Sequence, residues 1–336
     1  METFFHEHAP GLRFLLCALC ALAVGGIEAS TETSTEKVFY LGDPQIGFGK
    51  TGWRQDEARF AAAAAAAHAA GAAAVVVAGD LVNVWDNATL TSGFDAVWPS
   101  QFDASKVHLV PGNHDVNSEA ASASDFAQQL AHYRAAFGPD YSSFETQFAT
   151  FVLINSESLI VPELGLNGTT DPSVRNESAT QWSWLERTLA AGASTGKHLI
   201  VVSHHPAFLK DPAEPHQYWN WPLNVRRRLL GLLQKNGVTH MLCGHTHTTT
   251  NRTVGGLSIY TVAGTARAFD DNGCGYSVLT ISADEVKYEY VRHDSGPGLT
   301  ACSAARVHPD FDPSLGPLPP FHQYMSPSYT DLRWLM

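Results

Sequence analysis

Residues 38–50 read VFYLGDPQIGFGK. An apolar run, Val38 to Leu41, stops at Gly42, and Asp43 and Gln45 follow at once. An ordinary turn accommodates one Asp after a glycine, so the stretch gains meaning only if other strands end in the same way. Four others do. AAAVVVAGDLVN (72–83) ends its apolar run at Gly79-Asp80, with Asn83 three residues further on, and KVHLVPGNHDVN (106–117) stops at Gly112-Asn113-His114-Asp115. HLIVVSHHPAF (198–208) stops at His204-His205-Pro206, and THMLCGHTHTTT (239–250) at Gly244-His245-Thr246-His247. Turn chemistry alone does not produce five such endings. A glycine precedes four of the clusters, letting the chain turn sharply and another group approach closely. The donors are carboxylate, amide oxygen and imidazole, with no thiolate, a set that suits Mn, Fe, Zn or Mg in an open site and not a zinc finger.

Outward from these endings, strands alternate with helical segments. The apolar runs predict strands at Val38–Leu41, Ala74–Ala78, Val107–Val110, Phe148–Ile154, His198–Val202, His240–Cys243, Leu257–Ala263, Tyr276–Ile281 and Glu285–Arg292. Helices are predicted from Asp56 to about Ala70, where poly-alanine has high propensity, and over Ser124–Phe137, Thr180–Ala191 and Asn224–Lys235. His68 inside the poly-alanine run is assigned no role. Strand-helix-strand repetition predicts an α/β layered fold with a largely parallel sheet early on, and the last strands, with no helices between them, predict an antiparallel part. In open α/β sheets ligands bind at the C-terminal strand edge, where all five clusters fall.

Of 336 residues, 44% are hydrophobic and 16% charged, enough apolar mass for a large core. A net charge of −12 makes a nucleic-acid backbone a poor partner. Arg226-Arg227-Arg228 reads as the polar face of a helix. The N-terminus carries an apolar run from Phe14 to Ile27 after Arg13, too short to span a bilayer comfortably and fitting a signal-peptide core with cleavage near Gly25 to Ala29. An uncleaved signal anchor is the alternative. Sequons at Asn87, Asn167, Asn176 and Asn251 favour a secreted glycoprotein. Cys243 reads as core, and Cys274 and Cys302 are candidates to pair. The organisation is a signal peptide over 1–29, a linker over 30–37, one domain over 38–293 and a Pro-rich tail over 294–336.

The order GDxQ…GDxxN…GNHD…HHP…GHTH resembles the calcineurin-like metallophosphoesterases. The segments FGPDYSSF, LINSE, QWSWLERTL, HHPAFL and YWNWPLNVRRRLLGLL resemble the branch named for a calcineurin-like phosphoesterase domain, member 1, over roughly Lys37 to His293. The resemblance implies a four-layer α/β/β/α sandwich of two mixed sheets flanked by helices, with two divalent metal ions at the strand ends. It implies that Asp80 bridges both ions, that Asp43, Gln45 and His247 hold the first, and that Asn113, His204 and His245 hold the second. Asn83 is an alternative ligand. It casts His114 as the group beside the leaving oxygen and Asp115 as the carboxylate that orients it, leaving His205 at the rim. Hydrolysis of phosphomonoesters by metal-activated hydroxide follows, with phosphoserine and phosphothreonine in proteins as the branch's substrates. A secreted phosphodiesterase or phosphate-scavenging phosphatase is the alternative, and a metal-binding interaction protein with little catalysis is the alternative of another class. Tyr218, Trp219 and Trp221 could line a substrate pocket or pack an insertion, the latter being favoured, and Arg267 could reach a phosphate. Oligomeric state is not written in these residues.

Overall fold

In chain order the strands are β1 (Glu36–Leu41), β2 (Ala74–Ala78), β3 (Val107–Val110), β4 (Ser142–Glu145), β5 (Ala149–Leu153), β6 (His198–Ser203), β7 (His240–Cys243), β8 (Thr250–Val254), β9 (Leu257–Thr261), β10 (Gly275–Ile281) and β11 (Val286–Arg292). The helices are α1 (Trp53–Ala69), α2 (Ala88–Asp95), α3 (Ala123–Phe137), α4 (Ser156–Leu164), α5 (Pro172–Ala193) and α6 (Leu223–Lys235). The computed structural model describes residues 34–98, 102–116, 122–164, 171–293, 298–300 and 302. The expected leader and most of the Pro-rich tail lie outside them. The described residues from 35 onward form one compact unit, and β1 begins at Glu36, inside the stretch expected as linker.

Two mixed sheets result. The first has the order β11-β10-β1-β2-β3, its last three strands parallel and β10 and β11 antiparallel; the second has the order β4-β5-β6-β7-β9-β8, parallel from β5 through β9. Strands buried on both faces read as unbroken apolar runs, and the side-chain alternation of β1 shows why. Val38 and Tyr40 point inward to meet Phe151, Ile200 and Leu242 of the second sheet. Phe39 and Leu41 point outward to meet Phe60 of α1, Phe94 of α2 and Phe126 and Leu130 of α3. The second sheet repeats the arrangement, with Val152, Val201 and Met241 facing outward onto Trp182 and Leu185 of α5 and Leu229 and Leu233 of α6. Helices outside and two sheets inside make the four layers expected.

Several elements depart from expectation. α5 starts eight residues earlier than predicted, because the Asp171 side chain caps it and Pro172 occupies its first turn. α2, capped by the Asn87 side chain, was not foreseen, nor were α4, β4 and β8, all short. Arg226 corrects the reading of the triple arginine: it is fully buried beside Leu229 and Leu233. Its guanidinium donates to the carbonyls of Pro212, Glu214 and Trp221, so the chain between β6 and α6 is tied to the helix from beneath. Only Arg227 and Arg228 face solvent. Cys274 and Cys302 form a disulfide with Cα atoms 5.9 Å apart, and Cys243 is a free, buried thiol. Among the described residues no helix is long and apolar enough to cross a membrane.

Candidate metal centre

Five strands, β1, β2, β3, β6 and β7, end on one side of the two sheets. There the chain of β1 makes a parallel bridge from Gly42 to Gly264, beyond β9. Asp43, Asp80 and His247 come together, with one ligand atom of each within 4.8 Å of the others. Next to them, His204 Nε2 lies 3.4 Å from Asp80 Oδ1, 3.0 Å from Asn113 Oδ1 and 3.2 Å from His245 Nδ1. Gln45 Oε1 is buried with no hydrogen-bond donor, while its Nε2 donates to Asn83 Oδ1 at 3.3 Å. All seven residues expected to bind metal therefore gather at this edge.

The donor set fits divalent cations, and the imidazoles show it. His204 Nδ1–H donates to the Ala78 carbonyl at 2.8 Å, His245 Nε2–H to the Tyr218 carbonyl at 3.1 Å and His247 Nδ1–H to the Arg267 carbonyl at 2.8 Å. Such outer hydrogen bonds fix which nitrogen carries the lone pair. Burial drives all three below the usual imidazole range, His247 to about 4, so the rings are neutral near pH 7. Their remaining nitrogens are then lone pairs facing other lone pairs and carboxylates: His204 Nε2 meets three acceptors and no donor. A positive ion is the group that reconciles that arrangement. The carboxylates carry the same tension, since burial and the neighbouring Asp80 push Asp43 well above the ordinary range. Asp80 resists its own burial because His204 and His114 hold it low.

The backbone has been bent to bring these donors together. Asp43, Gln45, Asp80, His245 and His247 all have positive φ, between 31° and 66°, and among the described residues no other non-glycine residue does. A side chain in the left-handed region costs about 1–3 kcal/mol, and such strain collects at functional sites. Gly112 is required by the same crowding: a Cβ there would fall 2.1 Å from Asp80 Oδ1 and 2.3 Å from its nitrogen.

His114 donates its backbone N–H to Asp80 Oδ1 at 2.8 Å, and its Nδ1 is 3.0 Å from the Asn83 carbonyl, which orients the ring. That is a correction for Asp115. Its carboxylate was expected to orient His114; instead it accepts from the backbone N–H groups of Leu81, Val82 and Gly112, buried beneath the loop it braces. The Asp115 acid is pushed up by burial and by the nearby Asp80. Asn83, the alternative ligand, has its side chain turned to Gln45. His205 is buried, not at a rim, with Nδ1 2.8 Å from Glu157 and its ring centroid 3.9 Å from that of His245. Ser156 and Glu157, which open α4 just after β5, were not singled out, although that strand too is followed by a polar cluster. Trp219 is buried against Phe269, and Trp221 lies wholly in the core, in keeping with packing. Tyr218 accepts from Asn113 Nδ2 at 3.2 Å. Arg267 is half-buried, its guanidinium 5.0 Å from the Phe48 ring and 5.1 Å from Phe269. Phe48, which sequence reasoning passed over, lies 5.4 Å from the His247 ring.

The fold and these strand-end ligands define a phosphoesterase class, and comparison with known proteins agrees. Residues 37–249 match the family model for calcineurin-like phosphoesterase, and the chain belongs to that family. Among curated proteins it is similar to the bovine (Bos taurus) serine/threonine-protein phosphatase CPPED1, 25% identical over 187 residues, which are 55% of each chain. The chain thus spans about half the length of the curated relatives it matches. Among solved structures it superimposes on a dimetal phosphatase from Danio rerio, with a TM-score of 0.54 and 15% identity over 76% of this chain and 97% of that one. It also superimposes on purple acid phosphatase PPD1 from yellow lupin (Lupinus luteus), with a TM-score of 0.56 and 16% identity over 79% and 52%.

Proposed function

We propose that the chain is a two-metal phosphomonoesterase acting on phosphorylated proteins or small phosphoesters. The observation that carries this reading is the convergence of imidazole lone pairs, amide oxygens and carboxylates, with His204 Nε2 facing three acceptors and Gln45 Oε1 without a donor. Asp43, Gln45 and His247 would hold one ion, Asn113, His204 and His245 a second, and Asp80 would bridge them. Two divalent ions, when bound, supply Lewis-acid polarisation of the phosphoryl oxygens and acidify a water that serves as nucleophile.

The chain's own groups do the rest. The carbonyls of Ala78, Tyr218 and Arg267 keep three imidazoles in the ligating tautomer. The Asn83 carbonyl holds His114 Nδ1–H, leaving Nε2 as the nitrogen that would pass a proton to the departing oxygen. Asp115 acts through the backbone, fixing the turn that carries Asn113 and His114. The name of the bovine relative supports serine and threonine phosphates in proteins as substrates.

A secretory location is part of this reading. The apolar leader supports it, as do the sequons, of which Asn87, Asn176 and Asn251 are exposed, and the Cys274–Cys302 disulfide, a bond that persists in oxidising compartments. The native metals come from Mn, Fe, Zn and Mg.

The test is turnover of p-nitrophenyl phosphate and of bis-p-nitrophenyl phosphate by metal-stripped protein with each ion restored, beside Asp80→Asn. We expect metal-dependent monoester hydrolysis, lowered at least about 100-fold by Asp80→Asn. Turnover of the diester alone would move the enzyme to the phosphodiesterases. No turnover in a folded, metal-loaded protein would leave a binding protein.

A further inference from the structure

Outside the centre, one buried ion pair touches more of the site's supports than its place on a helix explains. Asp56 and Arg59 lie one turn apart on α1, 3.0 Å from each other, and neither is more than 2% exposed. Burying a charge pair is costly unless every polar atom finds a partner, and here the partners are instructive. Asp56 Oδ2 accepts from the backbone N–H groups of Gly47 and Gly49, both at 3.0 Å. A Cβ at Gly49 would sit 2.0 Å from Asp56 Oδ1, so that loop rests directly on the carboxylate. Arg59 donates to Thr51 Oγ1 at 2.8 Å, to the Ala266 carbonyl at 3.4 Å and to the Thr300 carbonyl at 3.1 Å.

Apart from the Thr51 hydroxyl and the Thr300 carbonyl, these partners belong to the two segments that grip His247. The Gly47–Gly49 loop follows the ligand Gln45 and carries Phe48 against the His247 ring. Ala266 precedes Arg267, whose carbonyl receives His247 Nδ1–H, and Phe269 stands 4.7 Å from the same ring. We propose that the Asp56–Arg59 pair is a positioning device for one half of the metal centre: it holds both segments at the spacing that His247 and Gln45 need to bind the first ion. Among the described residues no hydrogen bond or ion pair runs from the pair to Asn113, His204 or His245, so the second ion should not depend on it. The inference rests on the two-metal reading above.

The experiment is manganese titration of the metal-stripped full chain, read by electron paramagnetic resonance of free Mn²⁺, for the wild type, Arg59→Lys and Gly49→Ala. The lysine keeps the charge but cannot serve four acceptors with a planar fork, and the alanine pushes the loop off Asp56 with both charges intact. Each variant is first shown to melt cooperatively. The expected result is a loss of about 10-fold or more in affinity for one ion, with the other ion within about twofold of wild type. Wild-type binding of both ions in folded variants overturns the inference, and so does equal weakening of both, which is what general loosening produces. A wild-type chain that binds no pair of ions overturns instead the reading on which the inference rests.

Discussion

Replacing Arg226 by alanine tests whether a buried cation on α6 reaches the metal centre. Its three donations go to the Pro212, Glu214 and Trp221 carbonyls, at 3.2, 2.6 and 2.7 Å. Hydrogen bonds from a charged donor contribute about 1.5–3 kcal/mol each. The cost of burying the guanidinium, which also pulls its pKa below the ordinary value, offsets part of that sum. A net loss of about 3–4 kcal/mol is expected, in the range reserved for broken buried networks, and in a domain of this size it lowers Tm by roughly 10 °C. Arg227 next to it is exposed, and Arg227→Ala should change stability by no more than about 0.5 kcal/mol. The freed segment carries Tyr218, whose carbonyl holds His245 and whose hydroxyl accepts from Asn113. Arg226→Ala should therefore also weaken Mn²⁺ binding at the Asn113/His204/His245 side, measured by titration well below the lowered Tm. Differential scanning calorimetry of the two alanine variants decides the matter. Equal melting temperatures for them would refute the argument from burial.

Three further outcomes are expected. His108, His216 and His240 are each held to about 4 by burial. Their unfolded pKa lies near 6.5, so the unfolded chain binds protons more readily; stability is whole above about pH 6.5 and falls as pH drops toward 4. Allowing for partial solvent contact, each contributes about 1–2 kcal/mol to that fall. Urea midpoints at pH 7 and 4.5 should show it, and His108→Phe, which retains the stack on Phe144, should show less of it. Cys302→Ser opens a disulfide spanning 28 residues; loop entropy predicts a loss of about 3.5 kcal/mol, matched by reduction of the wild type in a thermal melt. Gln45→His replaces an amide oxygen by a nitrogen donor and should shift metal preference toward zinc. Competition between Mn²⁺ and Zn²⁺ reads it, and unchanged relative affinities would count against Gln45 as a ligand.

The strand-end pattern was legible because sheet burial makes each strand a plain apolar run, so that a polar residue just past it stands out. Val75–Ala78 followed by Gly79-Asp80 needs no tertiary information. What escaped reading depends on partners distant in sequence. Arg226 looks like solvent-facing charge until the segment between β6 and α6 folds beneath it. Asp115 sits next to His114 in the chain, but its carboxylate turns toward Leu81 and Val82, which only the parallel pairing of β2 and β3 brings close. Short β4 and β8 carry half-exposed polar residues that give no periodic signal. His205 is adjacent to a ligand, and only the fold shows that it belongs to Glu157.

The five left-handed residues have a consequence for anyone who would engineer this chain. Glycine would adopt those dihedrals without penalty, so a screen for heat resistance alone would favour Gly at Asp43, Gln45, Asp80, His245 and His247 and would delete a ligating group at each step. Thermal hardiness and metal capture pull in opposite directions at the same five α-carbons. The same fact allows such a centre to be found from main-chain torsions alone, with neither side chains nor ions in view: in this fold, a run of positive φ values at non-glycine positions just past parallel strands marks it.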